Sequence, residues 1–276
     1  VFLSEICNLQ CIMCNSNVSR QPYPTSSIRK LMSEIGWDAL DRFGFIGGEP
    51  FASPDGLDLV KFVSEQDTKG TCIYITSNGI LLDRHFDALE KIRNLFVTIS
   101  IDGIGSVYEK IRVNASWGKL LSNLTRFKEL RRNHPQWNLN FNSILMNSTV
   151  SHTSDLIKLA YFFDASIFFS AISGGHPHED FLVHPHLLGD QSAFTKALSD
   201  ARVLCRKLGA EKAEDSLAKF MAHFQTIMAR QAKRCTQKSQ AAESNTVFAG
   251  PESSTTRSHH TQIPLSILKE AGLVAG

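Results

Sequence analysis

The chain has 276 residues, of which 42% are hydrophobic and 20% are charged, and its formal net charge is +2. This length corresponds to one large domain or two small ones, and the composition excludes a wholly disordered or highly charged chain. No apolar run reaches the roughly 18 residues that a membrane-spanning helix needs, which excludes such a helix.

The first residues predict the start of a fragment. The sequence begins with Val1 rather than Met, and the apolar stretch that follows starts abruptly. We therefore expect the natural N-terminus to be missing. No basic-then-apolar leader is present, so secretion is not indicated. We expect a cytoplasmic protein with no membrane partner.

Short apolar runs alternate with helix-like segments over the first 172 residues. The strand candidates, rich in Ile, Phe, Val and Thr, are Val1–Glu5, Arg42–Ile46, Thr71–Thr76, Leu95–Ile101, Trp137–Leu145 and Ser166–Ala171. The helix candidates between them are 25–36, 55–66, 82–93, 118–133 and 153–163. This alternation predicts an α/β fold with parallel strands and right-handed crossovers. Six strands are too few for a full eight-stranded barrel, unless the curved sheet stays open.

The strand pattern stops after Ser173. Two helix candidates follow near 190–208 and 211–233, and residues 236–262 are rich in Ser, Thr, Gln and Ala with hardly any apolar periodicity. The predicted parts are a core over 1–172, a loop and helical extension over 173–235, and a flexible linker and tail over 236–276.

Positive charge is concentrated in residues 202–238, which hold nine basic and three acidic side chains, a net charge of +6. A basic segment of this kind could contact an anionic partner. A solvated helix face is the more common meaning of such a charge run and is favoured.

Polar residues follow the first five predicted strands. They are the segment Cys7–Cys14, Gly47-Gly48-Glu49-Pro50, Ser77-Asn78-Gly79, Ser100-Ile101-Asp102-Gly103 and the strand residues Asn140, Asn142 and Ser143. Ligands of parallel α/β sheets bind at the carboxyl ends of the strands. The sequence therefore predicts a functional site at this rim of the sheet.

Cys7, Cys11 and Cys14 have a C-x₃-C-x₂-C spacing. Three thiolates can bind three irons of a [4Fe–4S] cluster and leave one iron open to another molecule. Two alternatives stay open. A structural zinc site would need a fourth ligand, and the nearest histidine in the sequence is His85. The i, i+4, i+7 spacing also fits a buried helical stripe, although Asn8, directly after a strand, favours a loop.

Gly47-Gly48-Glu49-Pro50 has the composition of a ligand-binding turn. Two glycines let a backbone come close to a ligand, and the carboxylate that follows can bind an ammonium group. Such a sequence is more often a plain turn, but its place one βα unit after the cysteines favours the binding role.

The cysteine triplet, the Gly-Gly-Glu-Pro segment, Ser77-Asn78-Gly79 and Ser100-Ile101-Asp102-Gly103 resemble, in order and spacing, the radical S-adenosylmethionine (SAM) superfamily. The resemblance covers its core domain over about residues 1–172. It implies an α/β fold, a partial open (β/α)6 barrel of the TIM type, followed here by a C-terminal helical segment. It also implies an enzyme.

By this resemblance, Cys7, Cys11 and Cys14 bind a [4Fe–4S] cluster whose open iron takes the amino and carboxylate groups of SAM. The further cofactor-binding residues that it implies are Gly47, Gly48, Glu49, Pro50, Ser77, Asn78, Ser100, Asp102, Arg112 and Asn142.

The resemblance gives several of these residues a role. The segment 47–49 would hold the methionyl ammonium group, and Ser100 and Asp102 would lie near the ribose and sulfonium. The stretch 108–112 resembles the segment after the fourth strand in peptide-modifying members, where an arginine binds the SAM carboxylate. The resemblance implies the same role for Arg112.

The chemistry that the resemblance implies is stepwise. A reduced cluster passes one electron to the sulfonium, methionine leaves on the open iron, and a 5′-deoxyadenosyl radical abstracts hydrogen from a peptide or small-molecule substrate. Peptide or protein modification is favoured. The protein positions the reactants, tunes the cluster and excludes water and oxygen. An electron donor such as flavodoxin or ferredoxin is the expected partner.

Three cysteines lie outside the triplet. Many members with the Ser-Ile-Asp-Gly pattern carry a cysteine-rich extension, called SPASM or twitch, that binds auxiliary clusters. Only Cys205 and Cys235 are present in that part of the chain, on helical patterns, so auxiliary clusters are not evident. Cys72, in a predicted strand, is interpreted as a core residue.

Segment 174–186 follows the sixth predicted strand and contains four of the ten histidines. A second metal site or a substrate contact are both possible functions. Prolines between the histidines splay neighbouring side chains, which favours a solvated loop.

Two classes of function compete on the sequence alone. The first is a radical SAM enzyme. The second is a non-catalytic metal-binding or nucleic-acid-binding protein with a structural three-cysteine site and basic helices that make contact. Glu49 and its two glycines favour the first class, because a structural zinc site has no need of them. Nucleic acid is accordingly the less favoured partner.

Overall fold

The computed structural model describes residues 1–14, 24–172, 176, 178–182, 184 and 190–246. Its helices are α1 Thr25–Ile35, α2 Pro54–Ser64, α3 Phe86–Leu89, α4 Ser106–Ile111, α5 Trp117–Arg131, α6 Thr153–Phe162, α7 Gln191–Leu208 and α8 Glu211–Thr246. Its strands are β1 Gln10–Cys11, β2 Arg42–Phe45, β3 Cys72–Ser77, β4 Leu95–Ser100, β5 Arg112–Val113, β6 Asn138–Leu145 and β7 Ser166–Ala171. Within the described residues, short 3₁₀ turns cover Trp37–Ala39, Leu82–Arg84 and Val150–His152.

Five strands form a parallel sheet in the order β2-β3-β4-β6-β7. Helices connect successive strands, as the predicted crossovers require. The α/β class, the parallel pairing and the helices that follow the sheet are therefore confirmed. All five carboxyl ends of a parallel sheet lie on one side, which places the segments that follow these strands at a common rim.

The first predicted strand, Val1–Glu5, is not a regular strand. Phe2 makes one isolated parallel bridge with Ile46, and the backbone N–H of Leu3 donates to the carbonyl of Ile46 at 2.9 Å. The ladder stays short because its partner beyond Ile46 is the turn at 47–49 rather than a strand. The segment still runs beside β2, in the place of a sixth barrel strand.

Residues of the central strands alternate between a buried face and a half-exposed face. The buried face joins one hydrophobic core with helix α5, and this core includes Ile73, Ile75, Val97, Ile99, Phe141, Leu120, Leu124 and Phe127. Helix α5 starts where its N-cap Ser116 accepts a hydrogen bond from the backbone of Lys119 at 3.3 Å. The core fixes the sheet and hence the positions of its carboxyl ends.

Two predicted helices differ from the observed ones. Segment 82–93 was predicted as one helix but contains a 3₁₀ turn and the four-residue α3. Its leucines are buried in the core, and i→i−3 hydrogen bonds, such as that from Ile92 N to Leu89 O, replace a continuous α-helical pattern. Helix α8 runs to Thr246, so the prediction of a flexible linker is wrong for residues 236–246. Its Ala, Gln, Lys and Glu residues have high helix propensity without apolar periodicity. Residues 247–276 lie outside the described part.

Residues Val1–Met228 form one compact unit, and Ala229–Gly276 form a second. The division of the chain at residue 172 stays a prediction. None of the helices in the described ranges combines the length and the apolar character that crossing a bilayer demands.

Candidate functional site

A cavity of about 210 Å³ lies at the carboxyl ends of the strands. Its lining is Cys7, Leu9, Cys11, Met13, Cys14, Ile46, Gly47, Gly48, Thr76, Ser77, Asn78, Ser100, Arg112 and Ile144. All three cysteines and six other residues predicted from the sequence thus share one cavity. Glu49, Pro50, Asp102 and Asn142 are not among its lining residues.

The cysteines lie on a loop that the rest of the fold holds in place. Strand β1 pairs antiparallel with β5, which puts Cys11 opposite Arg112, and the N–H of Ile12 donates to the carbonyl of Ile111 at 2.9 Å. The segment is therefore not a helix, and the interpretation of the cysteines as a buried helical stripe is wrong. Within the described part of the chain, all three are free thiols.

The donor set fits a cluster better than a single ion. Among the described residues, no three His, Cys, Asp or Glu side chains gather closely enough to hold one metal ion. A [4Fe–4S] cluster does not need this, since each thiolate binds a different iron. His85, the nearest histidine in sequence, stacks on Phe51 with ring centroids 5.1 Å apart and does not line the cavity.

Burial raises the pKa of the thiols of Cys7 and Cys11. For Cys11, the positive charge of Arg112 opposes this effect, and Nη1 of Arg112 donates to Sγ of Cys11 at 3.7 Å. For Cys7, the backbone N–H of Leu9 donates to Sγ at 3.4 Å. Both contacts favour the thiolate form, which is the form that binds metal.

Gly47 and Gly48 bring the turn after β2 against the cysteine-bearing segment. A Cβ on Gly47 would lie 2.7 Å from the carbonyl oxygen of Ser4, and one on Gly48 would overlap that of Ile6. The backbone of Gly48 donates to Ser4 at 2.5 Å, and that of Glu49 to Ile6 at 2.8 Å. The close approach that these glycines permit is thus to the chain's own backbone, directly before Cys7.

The carboxylate of Glu49 is buried behind the cavity. It accepts hydrogen bonds from the hydroxyl of Ser77 at 2.8 Å and from the backbone N–H groups of Asn78 at 2.7 Å and Phe51 at 3.2 Å. Burial raises its pKa, while these hydrogen bonds act in the opposite direction. Glu49 therefore holds the turn after β3, and its role as an ammonium ligand stays a prediction. Pro50 lies against Gly56 at the start of α2.

Arg112 reaches the cavity from a buried ion pair. Its Nη2 lies 2.6 Å from Oδ2 of Asp102, and Oδ1 of Asp102 accepts from the backbone N–H of Ile144 at 2.6 Å. The Nε of Arg112 is buried and has no hydrogen-bond partner among the described residues. A guanidinium at a cavity wall fits an anionic group such as a carboxylate. Asp102 orients this guanidinium rather than lining the cavity.

Ser100 and Asn142 are register partners on β4 and β6, and both are half-buried. Only Ser100 lines the cavity. Three further lining residues were not predicted from the sequence. One is Thr76, which lies on the same face of β3 as Tyr74, and the others are the apolar residues Leu9 and Met13 beside the cysteines. Their position next to the predicted motifs was the available signal.

Tyr108 was also missed as a distinct feature. Its side chain is fully buried, and its hydroxyl has no hydrogen-bond partner among the described residues. The ring packs against Trp117 at a centroid distance of 5.4 Å. Burial raises the pKa of its hydroxyl well above the ordinary value, so the group stays neutral.

Cys72 and Cys205 do not line the cavity. Cys205 is buried in α7, as predicted for a helix residue, and burial raises its pKa to about 11. Cys72 is half-buried at the start of β3, at the end of the strand opposite the cavity. Cys235 lies in helix α8, and its side chain is outside the described part.

The structure describes the histidine-rich segment 174–186 in part, at residues 176, 178–182 and 184. Its described part is anchored to the rest of the fold, since the backbone of Ser148 donates to the carboxylate of Glu179 at 2.9 Å. Phe181 is buried and packs edge-on against Phe194 of α7 at 4.5 Å. A metal or substrate role for its histidines stays a prediction.

The positive charge of the C-terminal helices is partly paired. Arg202 and Arg206 both donate to the carboxylate of Glu214, at 2.6 Å and 2.8 Å, and Lys219 lies 2.7 Å from Asp215. These pairs favour the interpretation of the basic segment as a solvated helix face.

Comparisons with known proteins agree with this geometry. The profile of the radical SAM superfamily matches residues 1–160. GTP 3',8-cyclase of Chlorobaculum tepidum is 30% identical over 105 residues, which cover 37% of this chain and 32% of that protein. The cysteine-type anaerobic sulfatase-maturating enzyme of Clostridium novyi is 23% identical over 175 residues, or 56% of this chain and 45% of that enzyme. The chain thus spans less than half the length of these relatives.

A solved structure shows the same fold. Streptococcus suis SuiB bound to S-adenosylmethionine aligns with a TM-score of 0.52 at 14% sequence identity, covering 72% of this chain and 44% of SuiB. At this identity the likeness concerns the fold alone.

Proposed function

Because the chain belongs to the radical SAM superfamily, we propose that it is an enzyme that cleaves SAM reductively at a [4Fe–4S] cluster and abstracts hydrogen from its substrate. The observation that carries this proposal is the cavity at the strand ends, where three free thiols, two glycines and a guanidinium converge. When bound, the cluster supplies one electron and SAM supplies the group that abstracts hydrogen.

Cys7, Cys11 and Cys14 are the proposed cluster ligands. The β1–β5 pairing and the contact of Gly47 and Gly48 with the segment before Cys7 hold their loop against the sheet. This preorganisation supports cluster binding because little loop ordering has to accompany metal uptake.

The residues around the thiols are proposed to position SAM. Arg112 would bind its carboxylate through the guanidinium, which Asp102 orients. The backbone at Gly47 and Gly48 would face its ammonium group, with Glu49 and Pro50 supporting that turn. The half-buried side chains of Ser100 and Asn142, adjacent on two strands, would contact the adenosyl end.

The apolar part of the cavity wall is proposed to exclude water from the reacting atoms. Leu9 and Met13 are buried next to the cysteines, and Ile46 and Ile144 complete this part of the lining. Exclusion of water protects a reactive intermediate and strengthens the electrostatic interactions at the site.

The substrate is proposed to be a peptide or a small molecule, with a peptide favoured. The cysteine-type anaerobic sulfatase-maturating enzyme and the GTP 3',8-cyclase named above illustrate the two classes. The 108–112 stretch, which resembles peptide-modifying members, supports the first class. A small electron-transfer protein such as flavodoxin or ferredoxin is the proposed donor, and a reducing cytoplasm the proposed location.

The test is anaerobic reconstitution with iron and sulfide, followed by reduction and an assay for 5′-deoxyadenosine formed from SAM. We expect a brown protein that produces 5′-deoxyadenosine. A cluster-bearing protein that makes none, under conditions in which a control radical SAM enzyme does, would contradict the catalytic proposal.

The ligand assignment has its own test. Cys11→Ala should lose the cluster absorbance and most of its iron, whereas the matched variant Cys72→Ala, on β3 at the other end of the strand, should keep both. Unchanged iron content in Cys11→Ala would exclude Cys11 as a ligand.

A further inference from the structure

The side chain of Asn78 bridges the turn after β3 and the cysteine loop. Its Nδ2 donates to Oδ1 of Asn8 at 2.9 Å and lies 3.9 Å from Sγ of Cys7, within donor range of sulfur. Its Oδ1 accepts from the backbone N–H of Ile80 at 3.0 Å. Asn78 is buried and lines the cavity.

The hydrogen-bond network determines which end of this amide faces Cys7. The backbone N–H of Ile80 is a fixed donor that needs an acceptor, so a flipped amide of Asn78 would place two donors against each other at this contact. The amide nitrogen therefore points to the cysteine loop.

The turn that carries Asn78 is held from both sides. The carboxylate of Glu49 accepts from the backbone N–H of Asn78 at 2.7 Å, and Nδ2 of Asn123 donates to the carbonyls of Gly79 and Ile80 at 2.8 Å and 3.0 Å. The donor thus approaches Cys7 from a backbone that Glu49 and Asn123 hold in place.

We propose that Asn78 is a positioning residue that donates an N–H···S hydrogen bond to the Cys7 thiolate and so raises the reduction potential of the cluster. This inference rests on the proposed function. Reduction adds negative charge that spreads onto the ligand sulfurs, and a hydrogen-bond donor at one of them stabilises the reduced form. Arg112 approaches Cys11 in a comparable way, but its ion pair with Asp102 makes it a poor test residue.

The test compares the midpoint potential and the electron paramagnetic resonance spectrum of the reconstituted cluster in three variants. Asn78→Leu removes the donor without adding charge. Asn78→Asp also removes the donor but keeps an oxygen for the N–H of Ile80. Asn8→Asp adds one negative charge beside Cys7 and keeps the acceptor for Asn78.

We expect Asn78→Leu to shift the potential to a more negative value and to alter the spectrum of the reduced cluster. Asn78→Asp should shift the potential further than Asn8→Asp does. The control is Asn138→Asp, at an exposed residue at the start of β6. It should leave the midpoint potential and the spectrum at the wild-type values.

The outcomes separate this inference from the function on which it rests. A wild-type potential in Asn78→Leu overturns the inference. If Asn78→Leu assembles no cluster, equal shifts in Asn78→Asp and Asn8→Asp overturn it, because charge alone then explains the effect. A wild-type protein that assembles no cluster contradicts the proposed function instead.

Discussion

Asp102 and Arg112 form a buried ion pair with an O–N distance of 2.6 Å, and the second oxygen of Asp102 binds the backbone N–H of Ile144. The pair therefore joins the segment after β4, the strand β5 and the end of β6 at a single point. It also fixes the guanidinium at the wall of the cavity.

Asp102→Asn should destabilise the protein by about 3 kcal/mol, because it leaves the buried charge of Arg112 without compensation. Urea unfolding measures this change. The matched control is Asp164→Asn, whose carboxylate is 86% exposed beside Arg131 and should cost at most about 1 kcal/mol. Equal effects of the two variants would contradict the structural role assigned to Asp102.

Gly48→Ala should destabilise the turn after β2 by about 1–3 kcal/mol, since its Cβ would overlap the backbone carbonyls of Glu5 and Ile6. Thermal unfolding checks the change. Gly118→Ala in helix α5 has open space at its Cβ and should be neutral or stabilising by up to about 1 kcal/mol. A stable Gly48→Ala variant would show that the cysteine-bearing segment does not pack against this turn.

Tyr108→Phe should increase the free energy of unfolding by about 1 kcal/mol, because it removes a buried hydroxyl that has no partner among the described residues. Chemical denaturation of the metal-free protein is the measurement. The exposed Tyr161→Phe variant should change stability by less than about 0.5 kcal/mol. A marked loss of stability in Tyr108→Phe would mean that the hydroxyl donates to a group in the native protein.

Glu49 should make stability fall as the pH rises. Burial raises its pKa above the ordinary value of 4.5, so its contribution is fully present below that value and is lost as the pH rises through the folded-state pKa. In urea titrations from pH 4 to 8, Glu49→Gln should lack this loss.

The exposed variant Glu34→Gln is the control for removing one carboxylate, and its stability should follow the wild-type pH profile. Parallel profiles for the wild type and Glu49→Gln would contradict the raised pKa of Glu49.

The sheet was predictable because its signal is local. Strands β3 and β4 are rich in β-branched and aromatic residues, and β6 begins with alternating polar and apolar residues. The observed bounds of all three lie within about two residues of the predicted ones. Helix α4 escaped prediction because it is short and follows Gly105, whose φ of 58° needs a glycine. Helix α8 is longer than predicted, because apolar periodicity indicates only the part of a helix that packs on the core. Residues of high helix propensity continue the helix beyond that part.

The candidate site was predictable as a set of residues but not as an arrangement. Parallel strands bring the ends of all strands together, so polar residues after each strand were expected to meet. Which of them face the cavity depends on hydrogen bonds between distant segments. Glu49 turns towards Ser77 and Asn78, and Asp102 towards Arg112, and neither pairing follows from sequence spacing.

The sequence by itself determined the fold class, the rim that carries the site and the three thiols, because apolar periodicity and cysteine spacing are properties of short stretches of chain. Only the tertiary structure decided that Gly47 and Gly48 pack on the protein's own backbone and that Asn78 faces Cys7. Such contacts join residues about 40 to 70 positions apart. Their geometry arises when the whole sheet packs, so no local pattern encodes it.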